Sequence, residues 1–229
     1  MTHYATVLLD FDHTLLDSDE SEARALDVTL RSVGVHDPEA HFDDYRRLNG
    51  ALWRQVEAGA LDPNDVKVIR FTQLAKLLGI DANPVEMAET FVRGLGAFGE
   101  LYPGARDLLE ALAERAELAM VTNGIGFVQR TRIERLAIGH FFRTIVISGE
   151  VGASKPGPGI FDLAFEQLGR PSRTSAVMVG DNLSSDIRGG VDYGIDTCWY
   201  NPGGNEAHPG LGITHAVASF DHLLATLYP

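Results

Sequence analysis

Cysteine is nearly missing from this chain. Cys198 stands alone among 229 residues, so no internal disulfide can form, which is the state expected in a reducing cytosol. Basic residues are also scarce, with 19 Lys and Arg against 32 Asp and Glu and a formal net charge of −13. A nucleic acid backbone calls for a basic patch, so this balance argues against a nucleic acid polymer as partner. It also requires any phosphate pocket to be made locally positive, by a metal ion or a few chosen cations. No apolar run approaches the ~18 residues of a membrane-spanning helix. Met1-Thr2-His3-Tyr4 lacks the basic start and cleavage site of a signal peptide. The expectation is a cytoplasmic protein without membrane association. What remains is an ordinary globular composition, 45% hydrophobic and 22% charged, long enough for one substantial core plus a smaller second unit.

Strand-like and helix-like segments alternate through most of the chain, with one long interruption. Residues 5–10 read as a buried strand. From about Glu20 to Leu95 no strand is evident. Asp62-Pro63 reads as an N-cap with proline at the first helical position, ahead of Val66, Ile69, Leu74, Leu77 and Leu78 at helical spacing. Asn83-Pro84 starts another helix by the same logic. Gly94, Gly96 and Gly99 cluster before Pro103 and predict a hinge or linker. Alternation then resumes with helix 103–115, strand 117–122, helix 126–136, strand 144–148, helix 157–168 and strand 175–180. A short helix after Asp186 and a strand at Thr197-Cys198-Trp199-Tyr200 complete it. Such alternation calls for a parallel sheet covered on both faces, and the simplest reading of the interruption is a helical cap inserted into a doubly wound core.

Three islands fall at the ends of apolar runs: Asp10-Phe11-Asp12-His13-Thr14, Val121-Thr122-Asn123-Gly124 and Gly180-Asp181-Asn182-Leu183-Ser184-Ser185-Asp186. In an open parallel sheet ligands bind beyond the carboxyl ends of the strands, so these distant residues converge on one crevice. Asp10 and Asp12 lie two apart just past the first strand. One carboxylate can attack phosphorus, and the other can protonate the leaving alkoxide and then activate water. The alternative is that the pair merely caps a turn. The Thr122 hydroxyl and the backbone of Asn123 and Gly124 suit a phosphate oxygen at a strand-to-helix turn. Lys155, in the loop before a helix, can neutralise phosphate charge. Asp181 and Asp186 supply hard oxygens suited to Mg²⁺, or else cap the following helix.

Read together, these residues resemble the four motifs of the haloacid dehalogenase-like hydrolase superfamily: Asp10-x-Asp12-x-Thr14, Thr122 after an apolar strand, Lys155-Pro156, and Gly180-Asp181 with Asp186. The match spans essentially the whole chain. It implies an α/β protein with a Rossmann-like doubly wound parallel sheet core, residues 1–15 and 98–229, and an inserted all-helical cap, residues 16–97. It further implies Asp10 as nucleophile, Asp12 as general acid and base, and Thr122 and Lys155 holding the phosphoryl group. Mg²⁺ would be bound by the Asp10 side chain, the Asp12 carbonyl and Asp181, supported by Asp186. Asp12 weighs against literal dehalogenation, since a halide leaves without a proton.

A narrower likeness, to the bacterial pyrimidine 5′-nucleotidase branch, rests on His13 after Asp12, on Tyr45-Arg46-Arg47-Leu48-Asn49-Gly50-Ala51-Leu52-Trp53, on Val146 to Gly152, on Asp186-Ile187-Arg188-Gly189-Gly190 and on Cys198-Trp199-Tyr200-Asn201. It implies a small-molecule phosphate monoester substrate, a nucleoside 5′-monophosphate, and a monomer or homodimer. Asn49 and Trp53 lie four apart and share a helix face, so Asn49 could bond a base edge while Trp53 stacks on it. Trp53 is equally suited to anchoring the cap core. Arg46 and Arg47 read as a solvated face, and Trp199, Phe141, Phe142, Phe161 and Phe165 as packing. A sugar-phosphate or phosphoglycolate phosphatase, a phosphomutase, and a catalytically silent binding module on the same fold stay open.

Overall fold

Runs of apolar residues without alternation build a sheet that is covered on both faces. In the computed structural model, which describes residues 4–207 and 210–229, β1 (Thr6–Leu9) leads into a block of four helices, α1 (Ser18–Ser32), α2 (Phe42–Glu57), α3 (Val66–Leu78) and α4 (Pro84–Ala97). After α5 (Ala105–Ala113) come β2 (Glu117–Thr122), α6 (Gly126–Arg135), β3 (Thr144–Ile147), α7 (Ser148–Val151) and α8 (Pro158–Gln167). Then follow β4 (Ala176–Gly180), α9 (Arg188–Tyr193), β5 (Asp196–Tyr200), β6 (His215–Val217) and α10 (Phe220–Leu227). Met1 to His3, on which the signal-peptide expectation rests, lie outside the described residues. Among the described residues no helix is long and apolar enough to cross a membrane.

The sheet has six strands in the order β3-β2-β1-β4-β5-β6, and every pairing is parallel. The expected α/β fold with a doubly wound parallel sheet is therefore what the chain adopts. From β1 the chain runs outward through β2 to β3, then returns to place β4 on the other flank of β1. Leu9 is in register with both Met120 and Val179. The strand order reverses beside β1, which opens a crevice at the carboxyl ends of β1, β2 and β4.

Successive strand residues face opposite layers. Val7, Leu9, Leu118, Met120, Val177 and Val179 pack on one side with Leu108 and Leu112 of α5 and Leu223 of α10. Leu8, Ala119, Val121 and Met178 pack on the other with Ile160, Phe161 and Phe165 of α8. The helical block has its own core of Leu26, Leu30, Phe71, Leu74, Met87 and Phe91. Its two connections to the sheet run side by side, with Asp17 N–H donating to the Glu100 carbonyl and Tyr102 N–H to that of Leu15, both at 2.9 Å.

Three details differ from expectation. The helix placed after Asp62-Pro63 begins at Val66. Asp62 instead accepts from the Asn64 N–H at 2.8 Å, a side-chain-to-backbone turn that competes with a helical start. On α3 the buried stripe is Val66, Arg70, Phe71, Leu74 and Ala75, so Leu77 falls outside it and is exposed. Gly94 and Gly96 lie inside α4 and form no hinge. A Cβ on Gly94 would come within 2.8 Å of the Ala25 Cβ, so this glycine lets α4 lie directly against α1. Only Gly99, at φ +86°, turns the chain. β6 is a three-residue edge strand too short to show a period, whereas α10 buries Phe220, Leu223 and Leu227 at helical spacing. Asn83 does cap α4, accepting from Val85 N–H with Pro84 at the first turn.

Gly94→Val should force α1 and α4 apart and cost about 1–3 kcal/mol, as other overpacked cores do. Urea denaturation reads this as a lower midpoint at unchanged slope. An unshifted midpoint would show that the two helices have slack at this contact.

Candidate active site

The crevice is organised by a buried lysine. Lys155 is 1% exposed, and its Nζ lies 2.6 Å from Asp10 Oδ1 and 2.7 Å from Asp186 Oδ1. Asp10 is carried one residue beyond β1, where its N–H still donates to the Val179 carbonyl at 2.9 Å. The loop bearing Lys155 is fixed by Asn123. Its Nδ2 donates to the Lys155 carbonyl and its Oδ1 accepts from the Lys155 N–H, both at 2.9 Å. The Asn123 side chain is thus occupied in holding Lys155, and the Gly124 N–H donates to Ser148 Oγ at 3.0 Å.

Asp186 and Asp181 follow β4. A π-helical turn over Leu183–Ile187 folds Asp186 back, so that its Oδ2 accepts from the Asn182 N–H at 3.0 Å. Gly180 makes room for this, since a Cβ there would sit 2.2 Å from Asp186 Oδ2. Thr14 Oγ1 accepts from the Asp181 N–H at 3.1 Å and donates to Asp181 Oδ1 at 3.3 Å. Trp199, buried as packing as expected, also donates its indole N–H to the Asp181 carbonyl at 2.8 Å.

Ligand atoms of Asp10, Asp181 and Asp186 lie within 4.8 Å of one another, with one ammonium among three carboxyls. Burial pushes the Asp181 carboxyl up to about 6, with Asp186 adding to it. Burial also raises Asp10, reinforced by Asp186 and Asp181 and opposed by Lys155. Burial alone would lower the Lys155 ammonium, but Asp10 and Asp186 outweigh it and raise it. The cluster is therefore short of positive charge. Among the described residues, side-chain hydrogen bonds reach Asp10 and Asp181 only at Oδ1, whereas both oxygens of Asp186 are engaged. An all-oxygen donor set with this deficit fits Mg²⁺ held by Asp10 and Asp181, with Asp186 behind them.

Asp12 has different surroundings. Its Oδ1 accepts from Ser18 Oγ at 2.5 Å and from Arg132 Nη1 at 2.9 Å, and its Oδ2 from Gln129 Nε2 at 2.5 Å. Burial would raise this carboxyl, but Arg132, Ser18 and Gln129 together lower it. Arg132 is itself buried, donating to Ser21 Oγ at 2.6 Å and to the Leu95 carbonyl at 2.7 Å. Thr122 lies behind this group, its Oγ1 accepting from Gln129 at 3.0 Å. Sequence reasoning missed Ser18, Gln129 and Arg132. A signal existed: Gln129 and Arg132 lie three apart on the helix after the Thr122 strand, so they share the face turned to that strand end.

A cavity of about 320 Å³ joins Asp10, Asp12, Lys155 and Asp181 to Asn49 and Trp53 of α2. Asn123 and Gly124 line it, whereas Thr122 and Asp186 stand behind its wall. Trp53 lines the cavity and packs on Leu52, Val56 and Val66. Asn49 is 7% exposed and committed within the block, to Glu22 and Arg70. His13 takes a left-handed φ of +58° at the turn after Asp12 and also lines the cavity.

Comparison with known proteins places the chain in a family. A family model described as haloacid dehalogenase-like hydrolase matches residues 7–200. The pyrimidine 5′-nucleotidase PynA of Streptococcus pneumoniae is 35% identical over 225 residues, covering 98% of this chain and 95% of that protein. The pyrimidine 5′-nucleotidase YjjG of Escherichia coli is 34% identical over 217 residues, covering 95% of each. The crystal structure of the Bacillus subtilis HAD-hydrolase YfnB bound to magnesium superposes with a TM-score of 0.91 at 31% identity, covering 99% of this chain and 100% of that one.

Lys155→Met should leave Asp10 and Asp186 buried without their cation and lower stability by about 3–5 kcal/mol. Urea denaturation in the presence of a chelator measures it. A loss under about 1 kcal/mol would show that the two carboxyls take up protons at little cost and that the lysine does not hold the crevice together.

Proposed function

Because the chain belongs to the haloacid dehalogenase-like hydrolase family, we propose that this crevice is the active site of a Mg²⁺-dependent phosphatase acting on nucleoside 5′-monophosphates. One observation carries the reading. Asp10 and Asp12, two residues apart, line a single cavity in opposed electrostatic settings, one beside Lys155 and the acidic cluster, the other paired with Arg132. Two carboxylates in environments that push their pKa values apart are suited to two different jobs.

In the proposed reaction an Asp10 oxygen attacks phosphorus as the bond to the leaving oxygen breaks, giving an aspartyl-phosphate. Asp12 gives that oxygen its proton. Asp12 then takes a proton from the water that attacks phosphorus, and phosphate leaves with Asp10 restored. Arg132 and Ser18 favour the ionised Asp12 that the second step needs. A dianionic ester arriving beside it raises its pKa and favours the protonated form that the first step needs. Lys155 holds the phosphoryl oxygens, and Thr122 supports the site from behind by accepting from Gln129. Mg²⁺, when held by Asp10, the Asp12 carbonyl and Asp181, supplies further positive charge to those oxygens.

Residues 16–97 act in this scheme as a cap over a core formed by 1–15 and 98–229. Hydrogen bonds from Ser184 Oγ to Glu57 at 2.8 Å and from Asn64 Nδ2 to the Gly149 carbonyl at 3.0 Å bring the end of the block down on the crevice rim. The nucleotide preference is supported by the full-length likeness to PynA and YjjG.

Phosphate release from nucleoside monophosphates, sugar phosphates, phosphoglycolate and an aryl phosphate tests the reading. UMP or dTMP should be turned over selectively, and a chelator should abolish the activity. Turnover confined to sugar phosphates or phosphoglycolate would discard the nucleotide assignment, and full activity in chelator would discard the metal. Asp10→Asn should lose turnover and, with Asp186 still beside Lys155, remain folded at a lowered melting temperature; an unchanged rate would remove Asp10 as nucleophile.

A further inference from the structure

The helical side of the cavity contains a charged relay that the phosphate chemistry does not use. Arg70 is 1% exposed and lies over the Phe91 ring, 4.6 Å from its centroid. Its Nη1 donates to the Tyr45 hydroxyl at 2.8 Å and to Asn49 Oδ1 at 2.9 Å, both uncharged. Among the described residues its Nε and Nη2 have no partner. A guanidinium this deep requires a counter-charge. Glu22 provides it through Asn49, whose Nδ2 donates to the Glu22 carboxylate at 3.1 and 3.4 Å. The amide can be oriented in only one way, because a guanidinium only donates and a carboxylate only accepts. Burial raises the Glu22 carboxyl, and the neighbouring Arg70, His13 and Arg132 oppose that shift.

Glu22 lies one helical turn beyond Ser18, which bonds Asp12, so the two share a face of α1 turned to the cavity that Asp19 also lines. It lines the same cavity as Asp10, Asp12 and Trp53. Asn49 takes only part of the carboxylate's roughly four acceptor positions. A carboxylate held in this way can only accept, and it repels a second anion.

Building on the phosphatase reading above, we propose that Glu22 is the specificity-determining residue for the leaving group, with Asn49 and Arg70 as positioning residues. It selects uncharged leaving groups that present an N–H or O–H donor, such as the ring imide of uracil or thymine or a sugar hydroxyl. It disfavours leaving groups that carry a carboxylate of their own.

The test compares kcat/KM for UMP, N3-methyl-UMP, 2′-deoxy-UMP, phosphoglycolate and an aryl phosphate in the wild type and in Glu22→Gln. Loss of a hydrogen bond to a charged group should lower the ratio of UMP to aryl phosphate efficiency by roughly 10- to 100-fold, chiefly through KM. The ratio of phosphoglycolate to UMP should rise. Asn49→Ala should move the first ratio in the same direction, again through KM. If N3-methylation weakens wild-type turnover and the variant no longer discriminates, the imide is the donor. If removal of the 2′-hydroxyl does so, the sugar is the donor, and either result supports the assignment. The substrate series on wild-type protein needs no variant to fold: equal efficiency on all three nucleotides would overturn it. So would a Glu22→Gln enzyme that keeps the wild-type ratios. A wild type that hydrolyses the aryl phosphate and no nucleotide would instead overturn the nucleotide reading, a distinct outcome.

Discussion

Lys155 carries a full positive charge to a position 1% exposed, 2.6 Å from Asp10 and 2.7 Å from Asp186, and such a charge is tolerated only while those carboxylates stay in place. Much of the surrounding backbone follows from this. Asn123 holds the Lys155 loop by both ends of its amide, Gly180 has no side chain because Asp186 occupies that space, and the π-helical turn returns Asp186 to the lysine. Three strand ends are thereby tied to one lysine, those of β1 and β4 through its ammonium and that of β2 through its backbone. Two of the three carboxyls in the cluster gain the lysine, and Asp181 gains only the weaker support of Thr14. The resulting shortage of positive charge makes the crevice receptive to a divalent cation.

The cavity divides by origin. The sheet side presents Lys155, Asp10 and Asp181, and the helical side presents Trp53, Asn49, Glu22 and Arg70. Between them lies Asp12, where the two halves meet. Ser18 of α1 and Gln129 and Arg132 of α6 converge on its carboxylate, and Arg132 continues to Ser21 and the Leu95 carbonyl of the helical block. A shift of the block relative to the sheet would therefore be felt at Asp12 before it reached Asp10. Polar groups buried in such a network are costly to leave half satisfied, which couples the position of the block to the state of this one carboxylate.

The fold was legible where periodicity is long and unbroken. Val7-Leu8-Leu9 and Ala176 to Val179 are strands because their alternate side chains enter two separate cores, and α4 starts at Pro84 because Asn83 caps it. It was misread where a local pattern had two physical uses. Asp62-Pro63 closes a turn of its own instead of starting a helix, and Gly94 serves helix contact instead of a hinge. The three-residue strand β6 showed no period at all.

Residue type and order alone determined that carboxylates, a lysine and a threonine would gather at successive strand ends. A parallel sheet leaves its ligand-binding edge at one place, and the chemistry of an aspartate or lysine does not depend on its neighbours in sequence. Tertiary structure alone decided which of these groups face the cavity and which support it from behind. Thr122 stands behind Gln129, Asn123 holds a loop, and Asn49 bridges Arg70 to Glu22. Those partners lie 7, 32, 21 and 27 positions away in sequence. Hydrogen bonding acts over about 3 Å of space whatever the separation along the chain, so only the folded packing of α1, α2, α3 and α6 around the strand ends could specify these pairs.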